Sequence, residues 1–459
     1  MAEIKRERWG TRAGFILAAI GSAVGLGNMW RFPYLTAEYG GASFVFLYIV
    51  LLFLIGLPVM TAELTLGRGS RRSPVQALSQ KGEQSWHWLG YLFVLTGFGI
   101  LSYYSVIAGW TVRYMLDSLT GILMEVNTGE YFNSISEGQD ALIYHLLFMA
   151  ITTGIVLGGV RKGIERSVKL LIPTLFFLTF GLAIWAFYQP GSMEGYRFYL
   201  APNWKNLLET YTLGGSSFSF LNLNMLAAAA GQTFFTLSLG MGAIITYASY
   251  LSEEEDLFGE TLIISFSNFS ISFIAGLMIF PIIFSTNLID EIGDSTIGTL
   301  FVTLPEAFQK IGGWWGTILS FFFFFCLMLA ALTSAISLLE VVTSTLIDEF
   351  NISRKNAAAG SGLAIFLGGV PAALSIGWLD LADRISGQFL LMVGGFFLTI
   401  YIGWVMKSAL DELRRGMKFN AIPLWLFLIR YIVPPALLAL LLTIGWELPE
   451  KIFNFLTGS

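Results

Sequence analysis

The sequence predicts an all-α polytopic membrane protein of eleven transmembrane helices, two of them broken, arranged as two inverted five-helix halves with one helix added. Three observations carry this. First, 55% of the 459 residues are hydrophobic and 12% charged, where a soluble domain carries about 25% charged residues. With a mean hydropathy of +0.70, most segments must face lipid rather than share one core. Second, apolar stretches of about 20 residues or more, the length that spans a bilayer, recur along the chain. Third, two of those stretches are interrupted at mid-membrane by glycine and polar residues.

In order, the stretches cover 13–37, 41–66, 88–117, 139–158, 165–188, 226–251, 259–286, 313–346, 356–376, 387–406 and 421–446. The first begins as the apolar run Ala13 to Ile20 and then breaks at Gly21-Ser22-Ala23-Val24-Gly25-Leu26-Gly27-Asn28. A helix that breaks in hydrocarbon leaves backbone groups unpaired. That is tolerable only where they are buried in protein or bind something. The sixth stretch repeats the oddity at Gly231-Gln232-Thr233-Phe234-Phe235-Thr236-Leu237-Ser238-Leu239-Gly240-Met241-Gly242. The fifth stretch runs inward to outward, so the sixth enters with opposite topology. Broken helices at matching positions of two inverted halves point to the binding site of a secondary transporter. The division is therefore one transporter domain over 1–459, with a first repeat at 13–188, an inverted second repeat at 226–406 and an additional helix at 421–446. Ile452 to Leu456 is too short for a twelfth span.

The loops orient the chain. Lys5, Arg6, Arg8, Arg12, Arg68, Arg71, Arg72, Lys81, Arg161, Lys162, Arg166, Lys169, Arg354, Lys355, Lys407, Arg414, Arg415 and Lys418 fall on one side, 18 of the 26 basic residues. The excess of Lys and Arg on cytoplasmic loops makes that side the cytoplasm. The N-terminus is then cytoplasmic, the C-terminus extracellular, and the expected home is the plasma membrane. The charged start leads into a segment that continues past any cleavage site, so it is expected to be retained. One cysteine, Cys326, and two distant histidines, His87 and His145, leave disulfide, zinc, haem and Ser-His-Asp chemistry without support. A membrane enzyme is disfavoured, since neither break holds a His, Cys or paired-carboxylate constellation.

At this point the residues resemble a known family. Ala23-Val24-Gly25-Leu26-Gly27-Asn28 with Arg31-Phe32-Pro33, Tyr103-Tyr104, Lys162-Gly163-Ile164-Glu165-Arg166, Phe234 to Gly240, Ile244 to Tyr250 and Leu332-Thr333-Ser334 resemble the neurotransmitter:sodium symporter family, and closely its bacterial hydrophobic amino-acid transporters. The resemblance runs from residue 5 to about 435. It implies the LeuT-type fold and sodium-coupled uptake of neutral hydrophobic, including aromatic, L-amino acids. The implied partners are a small amino acid, two sodium ions and the lipid membrane, with no nucleic acid and a monomer or weak dimer. The alternatives are transport of another carboxylate-bearing amino acid, or a non-transporting amino-acid sensor on the same fold.

By that resemblance one sodium site uses Ala23, Asn28, Thr236 and Asn268 with the substrate carboxylate, and a second uses Gly21, Val24, Ala330, Thr333 and Ser334. The plainer reading of Thr333 and Ser334 is hydroxyls bonded to carbonyls of their own helix, and that of Asn268 is helix–helix glue. The substrate carboxylate is expected at the N–H groups of Leu26 and Gly27, where a helix end favours an anion, with the Tyr104 hydroxyl beside it. The amino group is expected at carbonyls of Ala23, Phe235, Thr236 and Ser238. The side-chain pocket is expected from Ser22, Ile100, Phe234, Met241, Ser334 and Leu338. Monoamine carriers of the family have aspartate at the position of Gly25, so a bare glycine asks the substrate to bring its own carboxylate. Methionine fills irregular gaps, so Met241 suits a pocket that accepts several sizes.

The resemblance also assigns gates: Arg31 and Asp383 outside, with Phe234 as an aromatic lid, and Arg6 and Asp348 inside, with Trp9 and Tyr250. Gly163 and Pro173 stand ten residues apart in the fifth stretch, a family pattern tied to unwinding, or simply a proline kink. Glu63 matches the family near the first break, and Glu340 has no assigned role. Ser272 stands where chloride-independent members carry a carboxylate. Tyr48, Gln232 and Ser272, with Thr236 and Asn268, could line a chloride site, and a fixed charge from Glu340 or Glu63 is the alternative.

Overall fold

The computed structural model describes residues 7–79, 84–213, 216–292, 296–417 and 421–457. Among these, nine helices are long and apolar enough to cross a membrane: Ala42–Ser70, His87–Thr120, Gln139–Leu157, Val160–Phe187, Leu257–Ser285, Gly313–Phe350, Arg354–Leu374, Ile376–Val405 and Ile422–Gly445. A tenth crossing is the bent pair Arg12–Ala23 and Gly27–Glu38. The sixth position in chain order holds two pieces too short to pass that test, Leu223–Thr236 and Ala243–Ala248. Every apolar stretch of the sequence thus has a helix or a broken pair at its place. The C-terminal residues do not form a separate piece, because the last helix runs unbroken from Val433 to Thr457.

The first segment starts where the Thr11 side chain accepts the Gly14 N–H, satisfying one of the unpaired donors of a helix start. It ends where Val24 turns extended, at φ −84° and ψ 103°. A wide turn, Gly27–Arg31, then leads into Phe32–Glu38, and the two halves meet at 50°. Pro33 sits at the opening of the second half, where its missing N–H costs nothing. The sixth segment is capped by Asn222, whose side chain accepts the Met225 N–H at 2.9 Å. It comes apart after Thr236, with Ser238, Gly240 and Gly242 at φ of +54°, +75° and +77°. Glycine enters that region freely and serine does not, so Ser238 is held there by its surroundings.

Burial sorts the segments into a centre and a rim. The eighth segment is 83% buried over its most apolar window and packs along the third, which is 72% buried. The fourth, fifth and eleventh are 33%, 33% and 28% buried and present their remaining faces to lipid. The two broken segments therefore lie against the most enclosed helices.

The basic loops gather at one end. There Arg68, fully buried, places Nε 2.6 Å from Glu412 Oε1 and donates to the Glu255 carbonyl. Arg71 pairs with Glu253 at 2.9 Å and Arg12 with Glu260 at 2.6 Å. At the opposite end the Tyr114 hydroxyl donates to the Phe301 carbonyl at 2.8 Å, and a two-stranded antiparallel hairpin, Leu208–Leu213 with Ser216–Leu221, links the fifth and sixth segments.

Candidate functional site

The two breaks face each other across a small cavity at the centre of the bundle. It is lined by Ser22, Ala23, Gly25, Gly27 and Asn28 of the first segment, Ile100 and Tyr104 of the third, Phe235, Thr236, Ser238 and Met241 of the sixth, and Ser334 and Leu338 of the eighth. Its volume is about 20 Å³, room for about one water molecule. Any larger occupant must displace side chains, and Met241, Ile100 and Leu338 are the ones with rotamers to give.

Of the residues expected to hold substrate, Ser22, Ala23, Gly27, Ile100, Tyr104, Phe235, Thr236, Ser238, Met241, Ser334 and Leu338 come together here, with Gly25 and Asn28 added. Two do not. Leu26 is fully buried outside the lining, and its N–H donates to the Tyr104 hydroxyl at 3.1 Å. Phe234 points the other way. Its ring occupies the space where Gly395 would carry a Cβ. Successive side chains on a helix point about 100° apart, and here Phe234 turns to Gly395 while Phe235 lines the cavity instead. The Arg31 guanidinium lies over the Phe235 ring, 5.2 Å from the centroid.

Gly25 has no room for a side chain. A Cβ there would sit 2.5 Å from Ser334 Oγ and 3.0 Å from the Tyr104 hydroxyl.

The two expected cation sites are both assembled from oxygen. Thr333 Oγ1 donates to the carbonyls of Ala330 at 3.0 Å and Leu329 at 3.2 Å, the own-helix bonding that a hydroxyl in a helix prefers. It also reaches the Val24 carbonyl of the first break at 3.4 Å. Ser334 Oγ lies 3.1 Å from the Ser22 carbonyl and 3.4 Å from those of Gly21 and Val24. A hard cation of this size binds oxygen at about 2.4 Å, which sets neighbouring ligands about 3.4 Å apart. Gly21, Val24, Ala330, Thr333 and Ser334 could hold sodium with little movement. The other set meets at Asn268, whose Oδ1 accepts from Asn28 Nδ2 at 2.7 Å and Thr236 Oγ1 at 3.2 Å. Asn28 Oδ1 accepts the Gly25 N–H at 3.0 Å, tying this set to the break itself. Among the described residues no cluster of three or more His, Cys, Asp or Glu could hold a metal.

Beside Asn268, the buried Tyr48 hydroxyl lies near Thr236 and Ser272, and Asn28 Nδ2 donates to Ser272 Oγ at 2.8 Å. Gln232 Nε2 donates to the Gly27 carbonyl at 2.8 Å, while Gln232 Oε1 is buried without a hydrogen bond. Glu63 braces the sixth break from the second segment, Oε1 accepting the Gly240 N–H at 2.7 Å.

The outer gate residues are near one another but not paired. Asp383 accepts from the Tyr103 hydroxyl at 2.7 Å and from Gln388 Nε2 at 2.9 Å, and no ion pair joins it to Arg31. Arg31 instead spends its charge on Phe235 and lines a vestibule of about 570 Å³ with Gln388, Met392 and Thr443. At the opposite end, Arg6 lies outside the described residues. Its expected partner Asp348 accepts the Ser73 N–H at 2.6 Å. Trp9 is buried, with Nε1 donating to the Tyr247 carbonyl at 2.9 Å and its N–H to the Tyr250 carbonyl at 3.3 Å.

Sequence reasoning missed a buried, two-pronged ion pair at this end. Glu340, left without a role, is fully buried and takes both arms of Arg354, at 3.1 and 2.6 Å, and the Tyr250 hydroxyl at 2.6 Å. The signal was available: an acid late in the eighth segment and a base opening the ninth, fourteen residues on. The fifth segment is wound throughout, with Gly163 in its opening turn and Pro173 inside the helix.

Comparison with known proteins agrees with this geometry. Residues 6–140 and 133–455 match the model of the sodium:neurotransmitter symporter family. An uncharacterized sodium-dependent transporter of Bacillus subtilis, YhdH, is 32% identical over 97% of this chain and 99% of its own length. The sodium- and chloride-dependent glycine transporter 1 of Xenopus laevis is 27% identical over 88% of this chain and 72% of its own. Among solved structures, MhsT in complex with L-phenylalanine superposes with a TM-score of 0.85 at 38% identity, over 96% of this chain and all of that one.

Proposed function

The chain belongs to the sodium:neurotransmitter symporter family, and from that premise we propose that it takes up neutral hydrophobic L-amino acids, aromatic ones included, together with two sodium ions. Sodium-coupled transport across a membrane, rather than catalysis, is the activity of this family and of its LeuT-type fold. Each sodium ion moved inward releases about 2.3 kcal/mol per 100 mV of membrane potential. Two would drive steep accumulation of a neutral cargo.

The observation that carries the substrate reading is Gly25. The chain has no carboxylate at the cavity and no space to place one there. A cationic amine would find nothing to pair with its charge. An amino acid supplies its own carboxylate, which would take the Leu26 N–H from the Tyr104 hydroxyl, accept a hydrogen bond from that hydroxyl, and meet the Gly27 N–H beside it. The same carboxylate completes the sodium site of Ala23, Asn28, Thr236 and Asn268, which couples ion to cargo. Ile100, Met241 and Leu338 give the side chain an apolar wall, and the solved relative holds L-phenylalanine.

We place the basic end in the cytoplasm, following its excess of Lys and Arg. The first repeat is then 13–188, the second 226–406, with 421–446 outside both. Transport proceeds by alternating access: Arg31, Phe235 and Asp383 close the outer route, and Trp9, Tyr250, Glu340 and Arg354 the inner one.

A chloride ion beside the first sodium site is part of this reading. The Tyr48 and Ser272 hydroxyls lie beside Asn268, and with the Gln232 amide N–H they are the kind of donors an anion needs. The two carboxylates that could replace an anion are committed elsewhere, Glu63 to Gly240 and Glu340 to Arg354.

The test is uptake of labelled amino acid into proteoliposomes under imposed sodium, potassium or choline gradients, with leucine, tryptophan, glycine and dopamine as competitors. Sodium-driven uptake displaced best by leucine and tryptophan is expected. Indifference to the sodium gradient, or displacement chiefly by dopamine, would overturn the reading.

A further inference from the structure

At the end that carries the basic loops, a cleft of about 800 Å³ opens between the N-terminal segment, the turn before the fifth segment and the start of the ninth. Arg8, Arg161, Lys162 and Arg354 line it, and one carboxylate, Glu7, faces them. Glu7 Oε2 accepts the Val160 N–H at 2.6 Å, and Oε1 lies 3.3 Å from an Arg354 nitrogen. Val160 opens the long helix Val160–Phe187, so its N–H is one of the unpaired donors at a positive helix end. Arg354 is already matched by Glu340. Arg8, Arg161 and Lys162 are exposed, and among the described residues none of them makes an ion pair. Glu7 thus sits as an anion would, and leaves most of the local positive charge unmatched. Leu157, in the wall of the cleft, is the last residue of the membrane-length helix Gln139–Leu157, so the cleft sits where that helix leaves the apolar layer.

We propose that this cleft is a phosphate-binding site, in which the phosphate of an anionic ligand displaces the Glu7 carboxylate from the Val160 N–H and Arg354. Phospholipid headgroups and soluble phosphates share this chemistry, and the position of the cleft at the end of a membrane-length helix favours the first. An occupied cleft reaches the inner gate through Arg354, which otherwise divides its donors between Glu7 and Glu340.

The experiment uses the full chain, stripped of lipid in detergent. Native mass spectrometry measures retention of phosphatidylglycerol against phosphatidylcholine, and equilibrium dialysis measures labelled pyrophosphate. Preferential retention of phosphatidylglycerol is expected. The double variant Arg161→Gln, Lys162→Gln should weaken it about thirtyfold, the loss for two basic groups at an anionic surface. Glu7→Gln removes the internal competitor and should tighten it about fivefold. Because these effects have opposite sign, a misfolded variant cannot mimic both. Phosphatidylglycerol that pyrophosphate fails to displace identifies the headgroup as the ligand, and pyrophosphate that binds and displaces it identifies a soluble phosphate. Equal retention of the two lipids with no pyrophosphate bound would overturn the proposal, as would binding unchanged in the double variant or not tightened by Glu7→Gln.

Discussion

The Tyr104 hydroxyl accepts the Leu26 N–H at 3.1 Å, so the third segment closes the first break at the spot where the proposed carboxylate must bind. A substrate carboxylate has to take that N–H for itself, and the tyrosine then turns from acceptor to donor. Tyr104→Phe removes the donor and leaves the ring. Hydrogen bonds to charged groups contribute about 1.5–3 kcal/mol. Half-saturation by substrate should therefore rise at least tenfold in an uptake titration, with thermal stability little changed.

Gly25→Ala should abolish substrate binding while leaving the protein folded. Its methyl would meet Ser334 Oγ and the Tyr104 hydroxyl, both on the cavity wall. Scintillation proximity binding of labelled leucine measures the loss, and gel filtration checks the fold.

Thr333→Val keeps the size of the side chain but deletes an oxygen from the set formed with Gly21, Val24, Ala330 and Ser334. The sodium concentration for half-maximal uptake should rise about tenfold or more. An unchanged sodium curve would remove Thr333 from the ion site.

Replacing chloride by gluconate should slow uptake by the native chain. Ser272→Glu supplies a fixed charge between Asn28 and the Tyr48 hydroxyl, and its uptake should no longer respond to the anion. Equal chloride sensitivity in both would exclude the site.

Glu340→Gln leaves Arg354 without its buried partner. Removing one member of such a pair costs about 3–5 kcal/mol. The variant should melt at lower temperature, and a cysteine introduced at the inner end should label faster, since the Tyr250 hydroxyl loses the same anchor.

The fold was legible because lipid imposes a strict rule. Apolar runs of spanning length must be helices, so each stretch found its helix, and Gly25 and Gly240 marked the two breaks. The cavity was legible through the family motifs, which brought most expected residues to one place. What was not legible depended on facing. Phe234 and Phe235 are chemically identical neighbours, and only packing against Gly395 decides which one turns away. Arg31 and Asp383 make no ion pair here, since Arg31 lies over Phe235 and Asp383 accepts from Tyr103, contacts that spacing along the chain does not reveal. Glu340 escaped because its meaning lies in Arg354, on another helix.

The bend between Ala23 and Gly27 bears on the speed of transport. A straight helix would have to rupture backbone hydrogen bonds on every cycle to swing one half against the other. Here Val24 is already extended and the halves already stand at 50°. Reorienting the inner half then breaks no helical ladder at the bend and gives up only the side-chain contacts that Tyr104, Asn28 and Ser334 make with it. On the proposed mechanism, the steep part of the turnover barrier falls at the two ends of the molecule, where Arg354 would leave Glu340 and Arg31 would leave Phe235. An Arrhenius plot of turnover should accordingly flatten in Glu340→Gln and keep its slope in variants that merely loosen the hinge.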